Sequence, residues 1–311
     1  MPLDVNYDEI CSKFDRLISE GIIKFKPSHP VVINDNGMTF CFNVVESLND
    51  KPQAGDPFKS AQLTQKNASG ADEQLKTFGP GSDLAFDHPD ICITKVNDTH
   101  WLVINKFPVF RPMLLLLTVD SFRRQHEPLD AEDMEAAWSL LSGLEKEHYV
   151  FFNCTVTAGS SRAHKHLQVI PAPGSSEAYS DEFKFFPDYD ELPEKDVPSC
   201  VYFIERFRDL PNGRIDSSHQ LIESYRRLLQ QTAEALNINE APYPHNLVLT
   251  KRWMVMIPRR EKVYEGLTAN APGMVGSVYV QSESDLDKWK QAGPANVLAG
   301  LGIPRRSLRG V

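Results

Sequence analysis

The sequence predicts an α/β protein of the α+β kind, a mainly antiparallel sheet with helices packed on it. Strand-like segments follow one another at hairpin spacing, few helical periods interrupt them, and no repeat of roughly 20–50 residues is present. That order does not suit a doubly wound nucleotide-binding fold.

Ile10, Phe14, Leu17 and Ile18 recur at helical spacing before Gly21, which predicts a helix over about 6–20. Met38–Val45 alternates as a strand. From about 49 to 84 the chain is rich in Asp, Lys, Gly, Pro, Ser and Gln without periodicity, the composition of a long mobile loop. Ile91–Val96 and Trp101–Asn105 bracket a polar turn and read as a hairpin, followed by the apolar strand Met113–Val119. Asp130 is placed to cap a helix reaching about His148. Strands are expected at Tyr149–Val156 and Lys165–Ile170, irregular chain over 172–199, and a strand at Val201–Glu205. Ser217 or Ser218 caps a second long amphipathic helix through Leu236. Asn246–Thr250, Trp253–Pro258 and Met274–Gln281 read as strands, with a short helix near Asp285–Lys290. Trp253, Met254 and Met256 are expected in the sheet core, and Arg259 and Arg260 in solvent.

With 33 Lys and Arg against 42 Asp and Glu, the formal net charge is −9, so a long polyanion such as nucleic acid is disfavoured as a partner. A small polyphosphate is not, because a few local cations make a positive pocket. No apolar run approaches the ~20 residues of a membrane span. Five scattered cysteines, with no Cys-x-x-Cys pair, and an acidic N-terminus without a signal-like segment suit a cytoplasmic protein, with nuclear access left open.

The densest chemistry lies between Asn153 and Gln168. On a strand over 164–170, a period of two puts His164, His166 and Gln168 on one face and Lys165, Leu167 and Val169 on the other. Just upstream, Gly159, Ser160 and Ser161 form a turn able to wrap an anion, and Arg162 adds a phosphate-matching fork. Imidazole is a competent nucleophile toward phosphorus near neutral pH. His-x-His is also a metal-ligand spacing, although no third ligand follows at short range, and histidines also occur simply satisfied on a polar sheet face.

His164-Lys-His166-Leu-Gln168 after a Gly/Ser turn resembles the transferase branch of the histidine-triad superfamily, whose hydrolases carry a third histidine at the glutamine position. Asn105-Lys106-Phe107-Pro108-Val109, Asn246-Leu-Val-Leu-Thr250, Trp253 to Arg259, Asn270-Ala-Pro-Gly273-Met-Val-Gly276 and Gly302-Ile-Pro304 extend the likeness to the diadenosine tetraphosphate phosphorylases (ATP adenylyltransferases) over nearly the whole chain. The resemblance implies a histidine-triad-like fold and phosphorolysis of diadenosine tetraphosphate to ATP and ADP. His166 is then the nucleophile that becomes adenylylated, His164 its orienting neighbour and Gln168 a donor to the transferred phosphate. It further implies nucleotide contacts at Lys51, Asn153, Gly159, Ser160, Ser161, Arg162, Asn270, Ala271 and Pro272, and places Ser277 and Gln281 at two more substrate positions. The sequence departs from the pattern in four places. Arg162 replaces a glutamine, Ser277 and Gln281 a methionine and a lysine, and Pro112-Met113 an Asn-His pair. These bear on the substrate more than on the nucleophile.

The expected partners are nucleotides (diadenosine polyphosphate, ATP, ADP) and phosphate, without nucleic acid or membrane. No covalently bound cofactor is implied. Mg²⁺ is compatible with a polyphosphate, but no ligand set is visible. An N-terminal catalytic part, 1–210, and a C-terminal part, 211–311, completing the sheet and the nucleotide site are expected. The rival readings are transfer to or from another nucleotide, such as adenylyl sulfate or a nucleoside-diphosphate sugar, and a regulator that binds nucleotide without turnover.

Overall fold

Asn6 accepts the amides of Asp8 and Glu9 and so starts helix α1 (Tyr7–Ser19), which buries Ile10, Phe14 and Leu17 along one stripe. The computed structural model describes residues 3–50, 77–86, 88–189, 198–210, 212–215 and 217–305. Strands β1 (Val31–Asp35) and β2 (Met38–Val44) form a hairpin turned by Asn36 and Gly37, both at positive φ. The chain then builds β3 (Cys92–Val96), β4 (His100–Ile104), β5 (Leu114–Thr118), helix α2 (Ala131–Gly143), β6 (His148–Cys154) and β7 (His166–Pro171). Next come β8 (Phe203–Arg206), helix α3 (Ser218–Leu236), β9 (His245–Leu249), β10 (Trp253–Pro258) and the single-turn helix α4 (Ala271–Met274). Strand β11 (Ser277–Val280) and helices α5 (Glu283–Ala292) and α6 (Pro294–Leu301) complete the order.

The main sheet has eight strands in the order β3-β4-β5-β7-β6-β9-β10-β8, every pair antiparallel. A second sheet, β1-β2-β11, joins the early hairpin to the late strand β11 by a parallel pair. Strand alternation gives the main sheet two apolar faces. Val150, Phe152, Leu167, Val169, Leu247 and Met254 pack with α1, α2 and α3. Tyr149, Phe151, Ile170, Val248 and Val255 pack on the opposite face with the small sheet, α5 and α6. The result is three layers.

Several elements differ from expectation. Helix α2 stops at Gly143 instead of about His148: a Cβ there would sit 1.9 Å from the Leu3 carbonyl, so the N-terminal segment crosses where only glycine fits. The segment read as one strand from Met274 divides into helix α4, a turn at Gly276 (φ +102°) and the short β11. Strand β1 and helix α6 are additional to the elements expected. Of the segment read as a mobile loop, 51–76 lies outside the described residues. Residues 49–50 end a 3₁₀ turn, Glu46–Asp50, and 77–84 form a fixed strap against the sheet. Gly79 and Gly81 in that strap lie so close to Ser121 that a Cβ on either would overlap it, at 2.6 and 2.5 Å.

Candidate active site

Alternation along β7 puts His166 and Gln168 on the face opposite α2, while Lys165 and Leu167 point toward the helices. Gln125 fixes the start of the strand from the side. Its carbonyl oxygen accepts the His166 amide at 2.8 Å, and its amino group donates to the carbonyls of His166 (3.1 Å) and Asn153 (3.2 Å).

The His166 ring is oriented by the main chain of its neighbour. Nδ1 lies 2.8 Å from the His164 carbonyl oxygen, which can only accept. Nδ1 therefore carries the proton, and in the neutral imidazole the lone pair sits on Nε2. The bond comes from the His164 main chain: β7 begins only at His166, so of the row expected on one face His166 and Gln168 reach the cleft without the His164 ring. That ring is fully buried elsewhere. Nε2 donates to the Thr118 carbonyl at 2.9 Å, and the Ser82 hydroxyl donates to Nδ1 at 2.8 Å. Burial, reinforced by the nearby His166, pushes the His164 pKa down to about 4, so the ring stays neutral near pH 7.

Ser82 and Asp83 were not legible as site residues, because they lie at the end of an aperiodic polar segment. Asp83 accepts the amides of Ala163 and His164 at 2.8 and 3.0 Å, one with each carboxylate oxygen. The strap thereby ties down the stretch just before β7, the strand that opens with His166.

Two cavities open around this strand. The inner lobe, about 350 Å³, is lined by His166, Gln168, Asn153, Arg162, Lys106 and Asp83 among others. The outer lobe, about 410 Å³, is lined by Gln168, Asn270, Tyr279, Gln281, Asp285 and Trp289 among others. Asn105, Phe107, Gly159, Ser161 and Gln168 line both, so the lobes meet in a neck with Gln168 at its edge. Cations distinguish the two. Among the described residues the cations Lys106 and Arg162 line the inner lobe beside His166, and no Lys, Arg or His lines the outer one.

Gly159 has φ +90°, and a Cβ there would stand 3.1 Å from the Ala269 carbonyl, so the Gly/Ser turn and the Ala269–Asn270 loop need glycine to approach this closely. The amides of Gly159 and Ser160 are spent inside the turn, on the carbonyls of Val156 and Thr155. The expected backbone cradle for an anion is smaller by these two amides. Asn153 receives the Ala271 amide and the Asn246 side-chain amide on its Oδ1, both at 2.8 Å. Asn270 caps α4 through the Gly273 amide.

The remaining expected positions do not all converge. Ala271 and Pro272 are buried in α4 and line neither lobe. Ser277 is fully buried, and its hydroxyl donates to Tyr279 at 3.1 Å within a tyrosine cluster completed by Tyr149 and Tyr179. Gln281 is exposed at the rim of the outer lobe. Lys51 lies outside the described residues. Arg259 overturns the solvent expectation: it is 1% exposed at the end of β10, whereas Arg260 is exposed as expected. A basic pair at a strand end reads as surface, and only the fold reveals the carbonyls waiting inside. Among the described residues no group of three His, Cys, Asp or Glu side chains could hold a metal ion, and no helix is long and apolar enough to cross a membrane.

The profile of the Ap4A phosphorylase N-terminal domain matches residues 7–181, and that of the ATP adenylyltransferase C-terminal domain matches residues 196–304. The chain belongs to the Ap4A phosphorylase family. That family is one of nucleotidyltransferase enzymes. Among curated proteins, Protein APA1 of Saccharomyces cerevisiae is 25% identical over 299 residues, covering 90% of this chain and 88% of the relative. Diadenosine 5',5'''-P1,P4-tetraphosphate phosphorylase 2 of the same yeast is 28% identical over 210 residues, covering 60% of this chain and 63% of that protein. The crystal structure of yeast Ap4A phosphorylase Apa2 superposes with a TM-score of 0.72 at 20% identity, covering 100% of this chain and 98% of that one. The same enzyme in complex with Ap4A gives a TM-score of 0.71 at 22% identity, covering 99% and 100%. The family's mainly antiparallel, histidine-triad-like architecture is therefore the architecture of this chain.

Proposed function

We propose that the chain cleaves diadenosine tetraphosphate with inorganic phosphate, giving ATP and ADP, and runs in reverse. His166 Nε2 attacks the α-phosphorus of one adenylyl group; the P–O bond to the remaining chain breaks, and ATP leaves. Phosphate then attacks the same phosphorus, the P–N bond breaks, and ADP is released with His166 restored. Gln168, at the neck between the lobes, donates a hydrogen bond to the phosphoryl oxygens, and Arg162 and Lys106 supply charge on the inner side. Ser160, Ser161, Asn153 and Asn270 position the chain, with Lys51 as a further contact and Gln281 at the outer rim.

The observation that carries this reading is the His166 Nδ1 bond to the His164 carbonyl, which sets the tautomer a phosphorus nucleophile needs on the wall of a cavity. The double lobe supports a ligand with two large ends. The outer lobe, walled by Trp289, Tyr279 and Phe107 with no cation among its described lining residues, suits a neutral nucleoside. Any divalent ion such as Mg²⁺ would arrive on the polyphosphate. Five free thiols, all buried or half-buried, support a reducing, cytoplasmic setting.

Phosphate is the preferred acceptor in this reading, because a neutral glutamine cannot take a proton from water, whereas phosphate arrives as an anion needing no base. Product analysis with diadenosine tetraphosphate tests it. ATP and ADP in equal amounts, dependent on phosphate, are expected. Equal rates in phosphate-free buffer, yielding ATP and AMP, would make the protein a hydrolase.

A further inference from the structure

The Arg259 guanidinium is almost wholly buried, and among the described residues no carboxylate pairs with it. Its N–H groups are spent on neutral acceptors. Nη1 donates to Asn246 Oδ1 at 2.7 Å and the Ala269 carbonyl at 2.8 Å, Nη2 to the Glu261 carbonyl at 3.1 Å, and Nε to the Leu301 carbonyl at 3.3 Å. Hydrogen bonds to carbonyls satisfy the donors but leave the charge unbalanced, and a buried charge without a partner is costly. Cys200, whose electrostatic influence reaches Arg259, is a thiol pushed up to about 12 by burial and so supplies no negative charge.

This charge stands directly behind the cleft. Asn246, which Arg259 holds, donates in turn to Asn153 Oδ1 and to the Ala158 carbonyl, both at 2.8 Å. Asn153 lines the inner lobe, Ala158 precedes Gly159 at the neck, and Ala269 and Asn270 line the outer lobe. Arg259 thus lies one hydrogen-bonded layer behind both walls. Its immobile fork needs no rearrangement to act on an anion in front of it, and the surroundings screen it less than water would screen a surface lysine.

We infer that Arg259 is the fixed counter-charge of the polyphosphate in the neck, a positioning residue that joins the two cleft walls without touching the substrate. This rests on the nucleotide reading of the cleft. The charge would favour a ligand in proportion to the negative charge it brings and would be indifferent to the nucleoside.

The test is the affinity of the full chain for adenosine, AMP, ADP and ATP at one pH and ionic strength, in the parent, Arg259→Gln and Arg259→Lys. In the parent, affinity climbs with phosphate number. In Arg259→Gln, adenosine binding should stay within about twofold while ATP binding weakens at least roughly tenfold, the size of one incompletely screened charge at short range. Arg259→Lys loses the fork and keeps the charge, so its ratio of ATP to adenosine affinity should stay within about threefold of the parent's. Equal weakening of all four ligands in Arg259→Gln, or an unchanged climb, would overturn the inference. Should Arg259→Gln not fold, Arg259→Lys still decides, because a folded lysine variant with a flattened climb contradicts a role for the charge. A parent with no climb at all would instead refute the nucleotide reading of the cleft.

Discussion

Lys165 Nζ lies 2.5 Å from Asp133 Oδ2 beneath the strand whose opposite face carries His166, with both side chains essentially inaccessible to solvent. Lys165 also donates to the Pro128 carbonyl, and the second carboxylate oxygen of Asp133 accepts from His100 at 3.1 Å. Burial alone would raise the Asp133 pKa, but the His100 bond and the Lys165 charge overcome it and hold the group well below the usual carboxylate range. Removing one partner strands a charge. Lys165→Met should therefore cost about 3–5 kcal/mol in urea unfolding, and adding Asp133→Asn should recover at least half of that. A loss below about 1 kcal/mol in the single variant would show that the pair is not what anchors this strand.

The strap makes a separate prediction. Asp83 holds the two amides just before β7, so Asp83→Ala should misplace His166, the proposed nucleophile, rather than remove a substrate contact. We expect kcat to fall roughly 10–100-fold with KM changed less than about threefold. Parent-like kcat with a large rise in KM would mean that Asp83 acts on ligand binding instead.

Acid should destabilise the protein early. Burial holds His148, His164 and His245 at about 4, against 6.5 for a free histidine. The unfolded chain therefore binds more protons below pH 6.5, and stability is lost as pH falls from about 6.5 toward 4. Each histidine accounts for up to about 3 kcal/mol over that interval. Thermal melts should show Tm dropping steeply there and holding nearly level between pH 7 and 8. A flat Tm from pH 7 to 4.5 would contradict burial of these rings as neutral groups.

Gln281 stands at the rim of the lobe that has no cation among its described lining residues. A charged hydrogen bond contributes about 1.5–3 kcal/mol against about 1 for a neutral one, so Gln281→Lys should tighten diadenosine tetraphosphate binding roughly tenfold at low salt. Affinity equal to the parent's would mean that the polyphosphate does not pass this rim.

The strand period puts His166 and Gln168 together on one face, helical spacing before Gly21 locates α1, and the caps Asp130 and Ser217 mark the starts of α2 and α3. Both signals are local, and both survive folding because they describe how a strand or helix must present its side chains. What sequence could not supply was partnership across the chain. Nothing at Ser82 or Asp83 signals that a polar, aperiodic segment returns to His164. A polar Ser277 gives no sign that it will be buried beside Tyr279. The basic pair Arg259-Arg260 divides into one buried and one exposed member only once β10 meets the end of α6. The strand period puts Lys165 on the face opposite His166, yet its partner Asp133 stands in a helix over thirty residues earlier.

The central claim is that His166 carries the adenylyl group, and rapid-quench trapping with mass spectrometry tests it most directly. Mixing the enzyme with diadenosine tetraphosphate in the absence of phosphate should leave an adenylyl adduct on His166 alone, stable to base and lost in mild acid. Phosphate added afterwards should convert it to ADP at least as fast as turnover, and His166→Ala should show neither adduct nor more than roughly 10⁻⁴ of the parent rate. Undiminished turnover in a pure His166→Ala sample, or inversion of configuration at the transferred phosphorus with no adduct, would mean that phosphate attacks directly and that His166 is not the nucleophile.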